Sequence, residues 1–172
     1  MRAEVAKIVL EAMKSAGIDF VACLPDSALL ALSQMVAQDP HFIFVPVANE
    51  GDGIAICGGA WLGGKKPAMI MENSGLFLGN YALTRSAITF GFPIMLLASY
   101  RGEFREARWF SMVEGRATEP LLNALRIPYR VVRKVEEIKK SIENVQRTLS
   151  SLQYPACILF GGETIWSKDT IV

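Results

Sequence analysis

Histidine is nearly absent from these 172 residues; His41 is the single one. A zinc site built on imidazoles, or a Ser-His-Asp triad, therefore lacks its parts. Cysteine is sparse too: Cys23, Cys57 and Cys157 stand far apart and form no Cys-x-x-Cys pair. An odd, scattered set of this kind reads as reduced core thiols of a cytoplasmic protein. Charge is thin. Asp, Glu, Lys and Arg make up 20% of the chain, against the ~25% usual in globular domains. Eighteen Lys and Arg face 17 Asp and Glu, for a net charge of +1. With no basic stripe to meet phosphates, a nucleic-acid partner is excluded, and so is polybasic attachment to a membrane. Long hydrophobic runs are also lacking. The uncharged stretch through the apolar centre, Ser86 to Tyr100, is 15 residues long and broken by Pro93, too short to cross a bilayer. Met1-Arg2-Ala3-Glu4 opens an amphipathic pattern with no signal-peptide core.

What is plentiful is apolar side chain, 51% of the residues, with a mean hydropathy of +0.28. The length suits one domain with a genuine core. So little charge over so much apolar surface predicts a soluble domain that covers part of itself with other subunits. Val5, Ile8, Val9, Ala12 and Met13 recur at helical spacing, and Gly17 stops the helix. Short apolar strands are predicted at 19–24, 42–48, 68–71, 93–99, 129–132 and 156–160. Helices are predicted between them: from Asp26 or Ser27 as N-cap, over 51–64, around 80–89 and over 136–152. Alternating strands and helices, with strands apolar on both faces, predict one α/β domain over residues 1–172. Its expected form is doubly wound: a mostly parallel, flavodoxin-like sheet with helices on both faces. The segment 101–116 breaks the rhythm, and its charges and aromatics read as a functional or interfacial loop.

Two motif matches fail. Gly59 to Lys66 has the glycine and lysine spacing of a phosphate loop, but it lacks the following Ser or Thr and sits at a helix end before Pro67. Asp52 of Gly51-Asp52-Gly53 reads as an acid in a helix first turn, favoured by the dipole. Glu50, one residue before that Gly51, follows an apolar strand at its carboxyl end, where open α/β sheets place their sites. Spacing alone leaves Glu50 open between a desolvated functional carboxylate and an ordinary first-turn acid.

Three turns taken in order carry more. Asn49-Glu50-Gly51-Asp52-Gly53-Ile54-Ala55, Gly64-Lys65-Lys66-Pro67-Ala68 and Glu72-Asn73-Ser74-Gly75-Leu76 with Asn80 resemble the pyrimidine-binding domain of thiamine diphosphate-dependent 2-oxo acid decarboxylases. The Leu24-Pro25-Asp26-Ser27 turn is similar to the group formed by sulfopyruvate decarboxylase alpha subunits and the matching half of phosphonopyruvate decarboxylase. The likeness runs from about Ile8 to Phe160. It departs at Cys23, where a glycine-valine pair is expected before the turn, and at Phe77-Leu78, which loosen the loop ahead of Asn80.

The resemblance implies that Glu50 contacts the cofactor's aminopyrimidine as a positioned acid and base, with Asn73, Ser74, Gly75 and Asn80 around it. It implies that Asn73 offers donors to a developing oxyanion and that Gly75 lets backbone approach a ligand. Pro25, Asp26 and Ser27 are candidates for the substrate's anionic tail, Ser27 being equally a simple helix cap. Arg101, Arg105 and Arg108 are candidates for that tail or for ion pairs between subunits. No metal ligand is expected in this chain. Magnesium and the cofactor's diphosphate would be held by a beta subunit carrying the diphosphate-binding domain, making a cytoplasmic hetero-oligomer. Sulfopyruvate is the first expected substrate, phosphonopyruvate or another 2-oxo acid the second. A non-catalytic binding or scaffold module on the same fold is the alternative of a different class.

Overall fold

The computed structural model describes residues 1–104 and 106–166. Helix α1 (Ala3–Ser15) leads through Gly17, at φ +79°, into strand β1 (Phe20–Cys23). Helix α2 (Leu30–Gln38), strand β2 (Ile43–Pro46), helix α3 (Glu50–Leu62) and strand β3 (Pro67–Glu72) follow. Two short helices, α4 (Gly75–Leu78) and α5 (Asn80–Ala82), run on into a π-helical stretch (Leu83–Ile88) and strand β4 (Met95–Ser99). Helix α6 (Ser111–Ala124), strand β5 (Tyr129–Val132), helix α7 (Ile138–Leu152) and strand β6 (Ala156–Phe160) complete the order.

All six strands pair in parallel, in the order β2-β1-β3-β4-β6-β5. Side-chain alternation along the strands explains the two layers of core. Val21, Ile70, Leu97 and Ile158 point to one face and pack under α1, α2 and α7. Ala22, Met69, Leu96 and Cys157 point to the other and pack under α3, the π-helical stretch and α6. The doubly wound α/β expectation is met.

Three local expectations are corrected. The 42–48 run is not a strand buried on both faces: β2 is a sheet edge, with Ile43 and Pro46 exposed. Proline belongs on such an edge, where a ladder N–H is dispensable. Helix α2 starts at Leu30, with no side-chain cap, so neither Asp26 nor Ser27 is its N-cap. Instead the Asp26 side chain accepts from the Ala28 N–H at 3.2 Å and closes a turn before the helix. Finally, the end of the presumed 101–116 loop, from Ser111 on, belongs to α6, which Pro120 in its interior disguises. That helix is seated by Glu119, whose two oxygens accept from the hydroxyls of Tyr100 and Tyr129, each at 2.8 Å.

Candidate functional site

Parallel strands bring their carboxyl ends to one edge of the sheet. In spatial order that edge carries Glu50 after β2, Asp26 after β1, Glu72 and Asn73 at the end of β3, and Arg101 after β4. The chain leaves β1 for β2 on one side and returns to β3 on the other, so the winding reverses between β1 and β3. Sheets of this type hold their ligands in the crevice at such a reversal.

Glu50 is the first residue of α3, yet its side chain is not used as the cap. Asn49, in extended conformation, does that work: its side-chain oxygen accepts from the N–H groups of Gly51 at 2.7 Å and Asp52 at 3.4 Å. The Glu50 carboxylate is thereby left for another purpose. It is 6% exposed, and its Oε2 is buried without a hydrogen-bond partner. It rests on Gly75, where an added β-carbon would lie 2.5 Å from Glu50 Cγ and 2.7 Å from Oε1. Gly79 likewise packs against α3, its β-carbon position 2.5 Å from Ile54 Cδ1 and 3.7 Å from the Glu50 carbonyl carbon. Next to it, the Asn80 side-chain oxygen is also buried and unpartnered. Glycines 75 and 79 thus let one loop lie directly on the first turn of α3. Asp52 is exposed in that first turn, as expected of a helix N-terminal acid.

Asn73 departs from its expected role. It is fully buried, and its amide nitrogen donates to the Arg101 carbonyl at 3.0 Å and to the Thr118 hydroxyl at 2.8 Å. Its oxygen accepts from the Arg101 N–H at 3.1 Å. Both amide donors are spent inside the protein, so Asn73 ties β3, β4 and α6 together rather than offering donors to an oxyanion. Ser74 is half-buried, and its hydroxyl donates to Glu72 Oε1 at 3.2 Å.

Arg101 is corrected too. It is 3% exposed and makes a two-pronged ion pair with Glu106, at 2.7 and 3.1 Å, while its guanidinium stacks 5.0 Å over the Trp166 ring. Burial would raise the Glu106 carboxyl, but the bonds from Arg101 and from the Arg108 and Gly102 N–H groups pull it below the ordinary range. A cation bound this way is a strut for its loop, not a free hand for a substrate's tail. Arg108 is exposed, Arg105 lies outside the described residues, and Pro25 and Ser27 are exposed beside buried Asp26. Among the described residues no group of three His, Cys, Asp or Glu is placed to hold a metal ion, and no helix is long and apolar enough to cross a membrane.

Sequence reasoning gave no role to Glu72, Glu106 or Thr118. Glu72 had a signal: like Glu50, it is an acid at the end of an apolar strand. Glu106 and Thr118 had none, because their partners are set by the tertiary fold.

No protein-family model matches the chain. It is 30% identical to sulfopyruvate decarboxylase subunit alpha of Methanococcus maripaludis over 95% of its own length and 98% of that protein. To the subunit alpha of Methanothermobacter thermautotrophicus it is 37% identical, over 83% of this chain and 86% of the other. Phosphonopyruvate decarboxylase of Streptomyces viridochromogenes matches at 35% over 50% of this chain and 22% of that protein.

Proposed function

Because this chain belongs to the family of sulfopyruvate decarboxylase alpha subunits, we propose that it is the pyrimidine-binding half of a thiamine diphosphate-dependent decarboxylase. Its substrate is a three-carbon 2-oxo acid with an anionic tail, sulfopyruvate, converted to sulfoacetaldehyde and carbon dioxide. The partner implied by the word "subunit" is a beta chain that holds the diphosphate and magnesium.

The observation that carries this reading is the Glu50 carboxylate: buried, excused from capping by Asn49, pressed on Gly75 and left with an unpartnered Oε2. A buried carboxylate oxygen without a donor is costly unless a ligand supplies one. An aminopyrimidine carries such donors, and the neighbouring orphaned oxygen of Asn80 fits a second. The residues present therefore fit the ring of this cofactor. When bound, thiamine diphosphate supplies a carbon nucleophile and an electron sink for loss of carbon dioxide. Glu50 would hold the ring through its free carboxylate oxygen and serve there as the positioned acid and base, in a dry setting that would strengthen the contact. Gly75 and Gly79 hold the loop of Ser74 and Asn80 against α3, which sets where the ring lies. The phosphonopyruvate relatives match only half of this chain, which favours the sulfonate over the phosphonate.

Glu50→Gln in the assembled two-subunit enzyme tests the reading. Decarboxylation should fall by ~10²–10⁴ with folding and assembly intact, the usual scale for a positioned acid and base. Turnover near wild type would refute it. Calorimetry should also find that the chain alone, with magnesium, binds thiamine diphosphate poorly; tight binding would mean that no partner is needed for the diphosphate.

A further inference from the structure

At the amino ends of β3 and β4, on the sheet edge opposite the crevice, the chain leaves a cavity of about 200 Å³. One side of it is the turn from α3 into β3, the segment whose likeness to a phosphate loop fails. The last turns of α7 form another side. Trp61, Pro67, Pro93 and Leu149 give it flat and aliphatic walls. No Asp or Glu lines it, whereas two lysines, Lys65 and Lys66, do.

The Trp61 Nε1–H is buried and has no acceptor. Such a donor is costly unless something supplies the missing bond. The polar groups around the cavity are turned to other work. Gln146 donates to the Ser150 hydroxyl at 3.2 Å and Gln153 to the Ser150 carbonyl at 2.8 Å, so α7 ties these amides to itself. The carbonyls that close α3 are spent as well: those of Gly59, Ala60 and Trp61 accept from the N–H groups of Gly63, Lys65 and Gly64. Lys65 faces Asp19 at 3.5 Å, but among the described residues no carboxylate lies within ion-pair distance of Lys66. The cavity is thus short of an acceptor and of negative charge. Its size adds a further limit. A cavity of roughly 150 Å³ takes a benzene ring, so this one has room for a ring and one small substituent.

We propose that the cavity is a second ligand site, which takes a one-ring aromatic carboxylate. The ring lies against Pro67, Pro93 and Leu149. The carboxylate accepts from Trp61 Nε1–H and draws the Lys66 ammonium, a charge-assisted contact stronger than a neutral one. The inference is independent of the decarboxylase reading. The two sites share only α3, which Glu50 begins and in whose last turn Trp61 lies.

Benzoate is the probe, with benzamide as the same ring without charge and acetate as the charge without a ring. The chain has three tryptophans, so the ¹⁵N-labelled full chain shows three indole N–H signals, to be assigned through the backbone. Benzoate should move the Trp61 signal saturably, with a Kd of about 1 mM, the range open to so small a ligand. The signals of exposed Trp109 and of Trp166, stacked under Arg101, should stay. Benzamide should bind about tenfold more weakly, and acetate should not saturate the shift. Lys66→Met, a change at an exposed position, should weaken benzoate and leave benzamide as it was. A Trp61 signal that benzoate does not move saturably overturns the site. Benzamide binding as tightly as benzoate, or a benzoate Kd indifferent to Lys66→Met, overturns the anionic class of its ligand. Acetate matching benzoate overturns the place given to the ring.

Discussion

At position 75 the chain tolerates no side chain. A β-carbon there would stand 2.5 Å from Glu50 Cγ and 2.9 Å from its carboxyl carbon, so Gly75→Ala must push the carboxylate aside. We expect kcat of the assembled enzyme to fall about 10²-fold, the scale of an ångström-sized misplacement, with a stability loss of about 1–3 kcal/mol from overpacking. Gly59→Ala is the control. That glycine lies in α3, the helix that begins with Glu50, with nothing within 4 Å of its β-carbon position, and the change should stabilise by about 0.4–1 kcal/mol. Steady-state kinetics and denaturant melts on the two variants would separate these outcomes. The turns that hold Glu50 and Gly75 were legible in the sequence, because their neighbours announce them. Asn73 was misread because the partners that consume its amide come from Arg101 and Thr118, 28 and 45 residues along the chain.

The segment after β4 behaves as one element. Arg101 is locked to Glu106, Asn73 grips the Arg101 backbone, and Gly102 meets α6 so closely that a β-carbon on it would fall against the Ser111 carbonyl. Removing the guanidinium leaves Glu106 buried and unpaired. Arg101→Ala should therefore cost about 3–5 kcal/mol, the range for breaking a buried ion pair. Because the damage is to the loop, the loss of kcat/KM should be similar for sulfopyruvate and pyruvate; a loss confined to sulfopyruvate would return Arg101 to the substrate's tail. The sequence pattern concealed this element for physical reasons. Helix α6 mixes charges around its circumference and carries Pro120, which removes an N–H from its interior. Helix α7, with Ile138, Ile142, Val145 and Leu149 on one buried stripe, was plain. Strand β6 was bounded to the residue, whereas β2 read as interior because an apolar run looks the same at an edge and at a centre.

Over the whole molecule, the apolar excess of the composition reappears as exposed side chains beyond the carboxyl ends of β3 and β4: Leu78 and Tyr81 on one side, Phe104, Trp109 and Val113 on the other. Exposed apolar side chains gathered in this way suit a partner subunit. Trp109→Ser should weaken assembly by about 2 kcal/mol or more, some 30-fold in Kd, if Trp109 is an anchor of that contact, with the melting temperature of the free chain unchanged. Titration of labelled subunits would measure both constants. The three cysteines offer an internal gauge of unfolding. Burial pushes the Cys23 and Cys57 thiols up to about 12, and the Cys157 thiol is raised as well. A thiol reagent at neutral pH should accordingly label none of them until the chain opens globally. The two rims of the sheet foretell what an orphaned subunit does. Its outer strands are β2, which ends in Pro46, and β5, which carries exposed Arg130; both residues discourage a further strand from adding. Overproduced without its partner, the chain should clump reversibly through its greasy loops, brightening a dye that reports apolar surface, and should not grow amyloid-like fibres that light up a cross-β stain.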